Sequence, residues 1–269
     1  MTDRTVGLLP VDIFGYPAAL PELERLAEES GLGMLEDACE AVGAVDSEGV
    51  RVGARGHLTT FAFYANKQLT MGEGGVIVPS TPEIATLLRS ERNQGRREDL
   101  GWLSHERLGF NYRLTDLQAA LGIAQLERAD ALLDERARVA AIYHERLAAI
   151  GGSAAGEGDP ESLVLPCGDR GAERRSWFVY VVQLPEGADR EAVVAALAER
   201  GVDAKAYLPC IHLMRHYREG FGLREGQFPV AERASGRALA LPFFTAMGEA
   251  EVERVIAALA VALGLRAPA

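Results

Sequence analysis

Lysine is scarce in this chain. Of its 28 basic residues only Lys67 and Lys205 are lysines and the rest are arginine, against 39 aspartates and glutamates and a formal net charge of −11. Such an acidic balance excludes a general nucleic-acid binder, which needs clustered cations to neutralise phosphates. Cysteine is nearly as rare. Cys39, Cys167 and Cys210 are odd in number and show no CxxC spacing, so neither a disulfide framework nor a zinc ribbon is indicated, and a reducing cytoplasmic location fits. Of the five histidines, His57, His105, His144, His212 and His216, only His212 and His216 stand four apart. Without an HExxH pair no metal is expected. No run approaches the roughly 18 apolar residues of a membrane span, and Met1 to Arg4 leads into no signal-peptide core.

What is present alternates. Val6 to Ile13 is an apolar run that reads as a buried strand. Leu20, Leu23, Leu26 and Ala27 recur at helical spacing before Gly31, and strands follow at Gly33 to Glu36, Leu58 to Tyr64 and Gly75 to Val78. Pro82 opens a helix in a permitted first-turn position. The stretch from Leu114 to about Ile150 is rich in Ala and Leu and fits one long helix or two consecutive ones. This order predicts an α/β fold with a mostly parallel sheet, whose ligands gather at the carboxyl ends of the strands. Gly151 to Asp159 reads as a domain boundary, which divides the chain into 1–150 and 151–269. The second part, with a strand near Trp177 to Leu184, a helix near Arg190 to Arg200, a short strand near Val202 to Ala206 and a closing helix from Glu249 to Leu263, looks like a small α+β domain.

The densest group of unusual residues runs from Phe61 to Gly75, FAFYANKQLTMGEGG. Lys67 stands just past a strand and before a Gly-rich turn, where an amine projects toward a ligand crevice. A solvated loop lysine is the competing reading, yet a chain that otherwise uses Arg has kept an amine here, and only an amine forms a Schiff base. Asp37 ends the neighbouring strand, where it serves either as a turn former or as a charge partner. A Schiff-base lysine and a carboxylate at adjacent strand ends are what pyridoxal phosphate requires: the amine takes the aldehyde carbon, and the carboxylate keeps the pyridine nitrogen protonated.

The runs EDACEAVGA (Glu36 to Ala44), FYANKQLTMGEGG (Phe63 to Gly75), RNQGR (Arg92 to Arg96) and LGFNYRLTDLQAA (Leu108 to Ala120), flanked by PVDIFGYPA (Pro10 to Ala18) and YLPCIHL (Tyr207 to Leu213), resemble the DegT/DnrJ/EryC1/StrS family of sugar aminotransferases. The likeness extends over essentially the whole chain and keeps the family's order. It implies an aspartate-aminotransferase-like fold (PLP fold type I), pyridoxal 5'-phosphate as cofactor, a homodimer, and transfer of an amino group from an amino acid, glutamate, to a keto sugar carried on a nucleotide. By the same resemblance Lys67 is the Schiff-base lysine and proton carrier, and Asp37 pairs with the pyridine nitrogen. Ala38 and Cys39 lie near the ring, with Cys39 as packing rather than nucleophile. Glu40 stands where the family usually has Gln near the phenolic oxygen. Asn111 reaches the cofactor phosphate of the partner subunit, or else is a turn residue. Arg96, Tyr207 and His212 are substrate-side candidates. Arg96 belongs to a basic group with Arg92, Arg97, Arg107 and Arg113 that either meets a diphosphate or donor carboxylate or is a solvated loop.

Two departures accompany the resemblance. Ala62 replaces a hydroxyl residue common in the family's aromatic strand, and the section the family carries before the strand at Val6, with its phosphate-cradling loop, is expected to be missing, so that the large domain is N-terminally truncated. A non-catalytic member that binds ligand or partner without turnover is therefore the rival expectation. A sugar dehydratase of the same fold is a third, disfavoured by the retained lysine.

Overall fold

A computed structural model describes residues 1–97, 104–154 and 161–265. The chain forms two compact units, one of Met1–Leu133 with Asp169–Phe178 and one of Asp134–Gly168 with Val179–Ala269. One of the crossings between them, at Leu133–Asp134, falls inside a helix; residues 155–160 of the Gly-rich stretch lie outside the described residues.

In the first unit β1 (Gly7–Leu8), β2 (Gly33–Asp37), β3 (Leu58–Ala62) and β4 (Gly75–Val78) form a sheet in that order. β1, β2 and β3 run parallel. β4 is antiparallel to β3, with Thr59 opposite Val78 and Ala62 opposite Gly75. A parallel partner would need a crossover of a dozen or more residues with its own helix. Instead, the 63–74 connection folds back on itself, with the Phe63 amide donating to Gly74 O at 2.8 Å and the Met71 amide to Phe63 O at 2.9 Å. The run expected as a buried strand from Val6 to Ile13 shrinks to the two residues of β1, since Pro10 has no amide to pair and a 3-10 turn occupies Ile13–Gly15. Val6 is 90% exposed and Leu9 62%.

Helix α1 (Leu20–Ser30) carries Pro21 in its first turn and stops at Gly31, whose φ of 63° gives the left-handed end. Helix α2 (Pro82–Glu91) is capped by Thr81, whose Oγ1 accepts from the Ile84 amide at 3.3 Å. The Ala- and Leu-rich stretch resolves into two helices, α3 (Asp116–Leu126) and α4 (Ala129–Ala149). α3 opens with a reciprocal box between Thr115 and Gln118. Ala38, Ala41 and Ala44 pack on Leu20, while Phe63, Leu69 and Met71 make a second apolar cluster.

The second unit holds the rest of α4, β5 (Ser153–Ala154), β6 (Val164–Leu165), β7 (Tyr180–Gln183), α5 (Arg190–Ala198), β8 (Lys205–Ala206), α6 (Arg215–Phe221), α7 (Pro229–Arg237), β9 (Ala238–Leu241) and α8 (Glu249–Ala262). Its sheet order is β5-β6-β7-β9-β8. The sequence gives no warning of β9, because Ala-Leu-Ala-Leu favours a helix; pairing on both sides, with β7 and β8, and burial of Leu239 and Leu241 override that propensity. Tyr143 stacks on Tyr180 at 4.9 Å and donates to Pro242 O at 2.7 Å.

Candidate active site

Lys67 lies in the turn that leaves β3, its amide donating to Tyr64 O at 3.0 Å. The loop is anchored beneath by Leu69 and Met71, so the amine stands on a fixed base at the carboxyl end of the strand. Its Nζ lies 3.4 Å from Glu40 Oε1 and 4.3 Å from the centre of the Phe178 ring, with 14% of the side chain exposed. Glu40 is held in turn, for its Oε2 accepts from the Phe14 amide at 2.9 Å. The lysine is therefore a half-sheltered cation between a fixed carboxylate and an aromatic face, not a loose surface side chain.

Phe178 arrives from more than a hundred residues downstream. Gln68, buried beside Lys67, ties its segment in place: Nε2 donates to Glu40 O, and to Ser176 O and Ser176 Oγ at 3.0 Å each. Ser176 Oγ donates to Val42 O at 2.6 Å, and the Ser176 amide to Gly15 O at 2.9 Å. Arg175 stacks between Tyr16 and Trp177, 4.5 and 4.6 Å from their rings. Nothing local in the sequence marks Phe178, Ser176 or Gln68 as a set, since their association depends on a contact across the chain.

Asp37 ends β2 opposite Thr60. Its Oδ1 accepts from the Cys39 amide at 3.1 Å, its own amide donates to Pro10 O at 2.9 Å, and its carbonyl accepts from the Asp12 amide at 3.0 Å. Ala38 is fully buried, and its amide donates to Thr60 O. The Cys39 thiol is pushed up to about 11 by burial and by its hydrogen bond to Asp37, which keeps it protonated and poorly nucleophilic at neutral pH. Asp37, Ala38 and Glu40 thus follow one another around the turn that faces Lys67.

Arg96 and Asn111 lie on another part of the first unit. Asn111 pairs as a bridge with Asn93, whose Oδ1 accepts from Arg113 at 2.9 Å. Arg89, Arg92, Asn93, Arg96, Arg97 and Arg113 line a cavity of about 510 Å³. The Arg96 Nε is buried there without a hydrogen-bond partner among the described residues, while Arg97 pairs with Glu106 at 3.3 Å. Glu98 and Asp99, the neighbours that suggest a solvated loop, lie outside the described residues. In the second unit Tyr207 is partly exposed after β8. His212 is largely buried, its Nε2 2.9 Å from Glu232 Oε1, which also accepts from the Gly226 and Phe228 amides. The contact with Glu232 gives His212 a loop-fastening geometry.

A lysine amine and a carboxylate thus stand at neighbouring strand ends of an α/β sheet. The profile of the DegT/DnrJ/EryC1/StrS aminotransferase family matches residues 1–260, and the chain belongs to that family. It is 34% identical over 262 residues to GDP-perosamine synthase of Caulobacter vibrioides, covering 96% of this chain and 66% of that protein. Among solved structures it is similar to S. venezuelae DesV, captured with a ketimine intermediate, with 34% identity, a TM-score of 0.85, and coverage of 97% of this chain and 66% of that one. DesI, solved in the presence of its TDP-sugar product, matches at 29% identity and a TM-score of 0.81, covering 98% of this chain and 64% of that one. The chain thus spans about two thirds of the length of the relatives it matches. Among the described residues, no helix is long and apolar enough to cross a membrane.

Proposed function

We propose that the protein is a pyridoxal-phosphate-dependent aminotransferase that moves an amino group from an amino acid, glutamate, to a keto sugar carried on a nucleotide. The observation that carries this reading is Lys67, fixed between Glu40 and Phe178 at the carboxyl end of β3, beside the strand end that bears Asp37. These residues fit the cofactor's needs: a nucleophilic amine, a carboxylate for the ring nitrogen, and a small buried Ala38 that leaves room for a ring. Pyridoxal phosphate, when bound, supplies an aldehyde carbon and an electron-accepting ring.

The remaining work falls to the chain. Lys67 Nζ would hold the cofactor at its aldehyde carbon and, when free of it, would take and return the proton at the substrate carbon. Glu40 Oε1 receives a hydrogen bond from the lysine ammonium and keeps it aimed. Asp37 would hold the proton on the ring nitrogen. Phe178 shields the amine from water. The arginine-lined cavity, with an unpartnered Arg96 Nε, supports a substrate that carries a diphosphate, because guanidinium groups pair with phosphate oxygens two at a time. Tyr207 and His212 are substrate-side residues in the same reading.

A homodimer is part of this proposal. Phe110 and Tyr112 stack at 4.9 Å on either side of Asn111, and both are exposed, as are Leu108 and Leu117 at 89% and 86%. An apolar strip of that kind fits a second copy of the chain, to whose cofactor phosphate Asn111 would donate. Action in the cytoplasm completes the reading, supported by the odd, unclustered cysteines. The test is transfer of ¹⁵N from labelled glutamate to nucleotide-linked keto sugars, read by mass spectrometry of the sugar product. Label in the sugar supports the proposal, and its absence with every donor and acceptor offered overturns it.

A further inference from the structure

Behind Asp37 lies a buried set of charges with no part in the amine chemistry above. Asp12 and Glu36 are both fully buried. Glu36, on β2, has its Oε2 2.8 Å from His57 Nε2 and accepts from Thr59 Oγ1 at 2.7 Å. His57 Nδ1 lies 2.9 Å from Glu24 Oε1 on α1. Arg55 closes the set, pairing with Glu24 at 2.7 Å, Glu48 at 2.8 Å and the buried Asp46. On the other side, Asp12 Oδ1 accepts from the Ala18 amide at 2.8 Å.

Two oxygens are left over. Asp12 Oδ2 and Glu36 Oε1 are buried with no donor among the described residues, and the parallel Val11–Asp37 bridge sets Asp12 and Glu36 on one face of neighbouring segments. Ionised carboxylates only accept, so the two oxygens can satisfy one another only when one of the pair carries a proton. We propose that Asp12 and Glu36 share one proton, and that this acid-carboxylate pair is the device that fixes the strand end presenting Asp37.

Charge decides where the proton resides. Glu36 is held below the usual carboxylate range, since His57 and Thr59 overcome the opposing effect of burial. His57 is driven up by Glu36 and Glu24 against its own burial. Among the described residues Asp12 faces no cation of its own. Burial first, then the charges of Glu36 and Asp37, push it up to about 7 against the Ala18 amide. The proton therefore sits on Asp12, next to an anionic Glu36 and a cationic His57. Asp12 also holds Asp37 directly, its amide donating to Asp37 O at 3.0 Å. Loss of the shared proton would set buried anions at Asp12, Glu36 and Asp37 against one another and press the 10–12 segment away from β2. Only the purpose of holding Asp37 rests on the proposed function; the proton does not.

Asp12→Asn copies the protonated state, since its carbonyl still accepts from Ala18 and its amide donates to Glu36. Urea unfolding of the wild type and Asp12→Asn across pH 5 to 9 tests the pair. A group that keeps its proton only when folded makes the folding constant fall about tenfold per pH unit until its folded pKa is passed. The ratio of wild-type to variant folding constants is therefore expected to fall about tenfold per unit from pH 5 to about 7 and to level off above. Infrared spectra of chain labelled with ¹³C at the aspartate carboxyl are expected to show a protonated acid at pH 6 that disappears at higher pH. Hydrogen exchange at the Asp37 amide, corrected for intrinsic rate, is expected to lose protection over the same window in the wild type but not in the variant. A flat ratio, or no acid band in the wild type, overturns the shared proton. An Asp37 amide whose protection ignores that titration overturns the positioning role. Should Asp12→Asn not fold, the infrared band and the Asp37 amide of the wild type alone decide both points.

Discussion

Replacing Gly15 with alanine tests whether the 169–178 segment is fastened over Lys67 as described. Gly15 has φ +80°, and an added Cβ would sit 1.6 Å from Ser176 O and 2.9 Å from Glu40 O. Both neighbours are backbone, so no rotamer relieves the overlap, and the segment must retreat by roughly 2 Å to restore an ordinary contact near 3.5 Å. That retreat breaks the Ser176 amide bond to Gly15 at 2.9 Å and two Gln68 bonds to Ser176 at 3.0 Å. Three hydrogen bonds at about 1 kcal/mol each, with about 1–2 kcal/mol for an alanine in left-handed geometry, give a loss of about 4–5 kcal/mol. That is a large part of the ~5–15 kcal/mol that a domain has to lose. Gly31→Ala is the control, for its φ is +63° with nothing within 4 Å of the added carbon. It carries only the backbone strain of about 1–2 kcal/mol. Urea unfolding of both variants reads the difference, and trinitrobenzenesulfonate labelling should find the Lys67 amine more reactive in Gly15→Ala. A Gly15→Ala protein as stable as Gly31→Ala would refute the fastening.

Three further outcomes follow from the same contacts. Asp37→Asn should still bind pyridoxal phosphate, measured by fluorescence titration, but slow amine transfer about a hundredfold or more, because a neutral partner no longer holds the ring nitrogen's proton. Tyr143→Phe removes the 2.7 Å bond to Pro242 O; thermal unfolding should show a loss of about 1 kcal/mol. Asp46 is held below the ordinary aspartate pKa of 3.8, since Arg55 and the Val50 and Glu48 amides overcome burial. Its contribution is therefore complete above that value and is lost as acid protonates it. Asp46→Asn should destabilise at neutral pH and flatten the acid limb of a stability profile.

The pattern of the sequence reaches the fold where the local signal and the tertiary demand agree. Gly31 ends α1 and Thr115 begins α3 because each residue supplies what a helix terminus needs at that spot. It falls short where pairing depends on partners remote in the chain. β4 follows a strand-like run that looks the same whichever direction it takes, and only the folded-back 63–74 loop makes it antiparallel. At the site, Lys67, Asp37 and Glu40 are legible because they cluster within thirty residues of one another and carry chemistry in their type. Phe178 and Ser176 are not, as an aromatic and a serine in a strand-like run carry no chemical mark. Nor is the Asp12–Glu36 pair, for an acid in an apolar run reads as a turn until both carboxyl groups are seen to be buried.

Lys67 as the amine that takes the cofactor is the central claim, and the scarcity of lysine makes it unusually clean to test. Besides the N-terminal amine, only Lys67 and Lys205 can form a reducible bond with an aldehyde. The protein is incubated with pyridoxal phosphate, reduced with borohydride, digested and mapped by mass spectrometry, with Lys67→Ala treated in parallel. The cofactor mass is expected on the Lys67 peptide at one equivalent and is expected to vanish in the variant. Label on Lys205 or the N-terminus in preference to Lys67, or equal label in Lys67→Ala, would contradict the account.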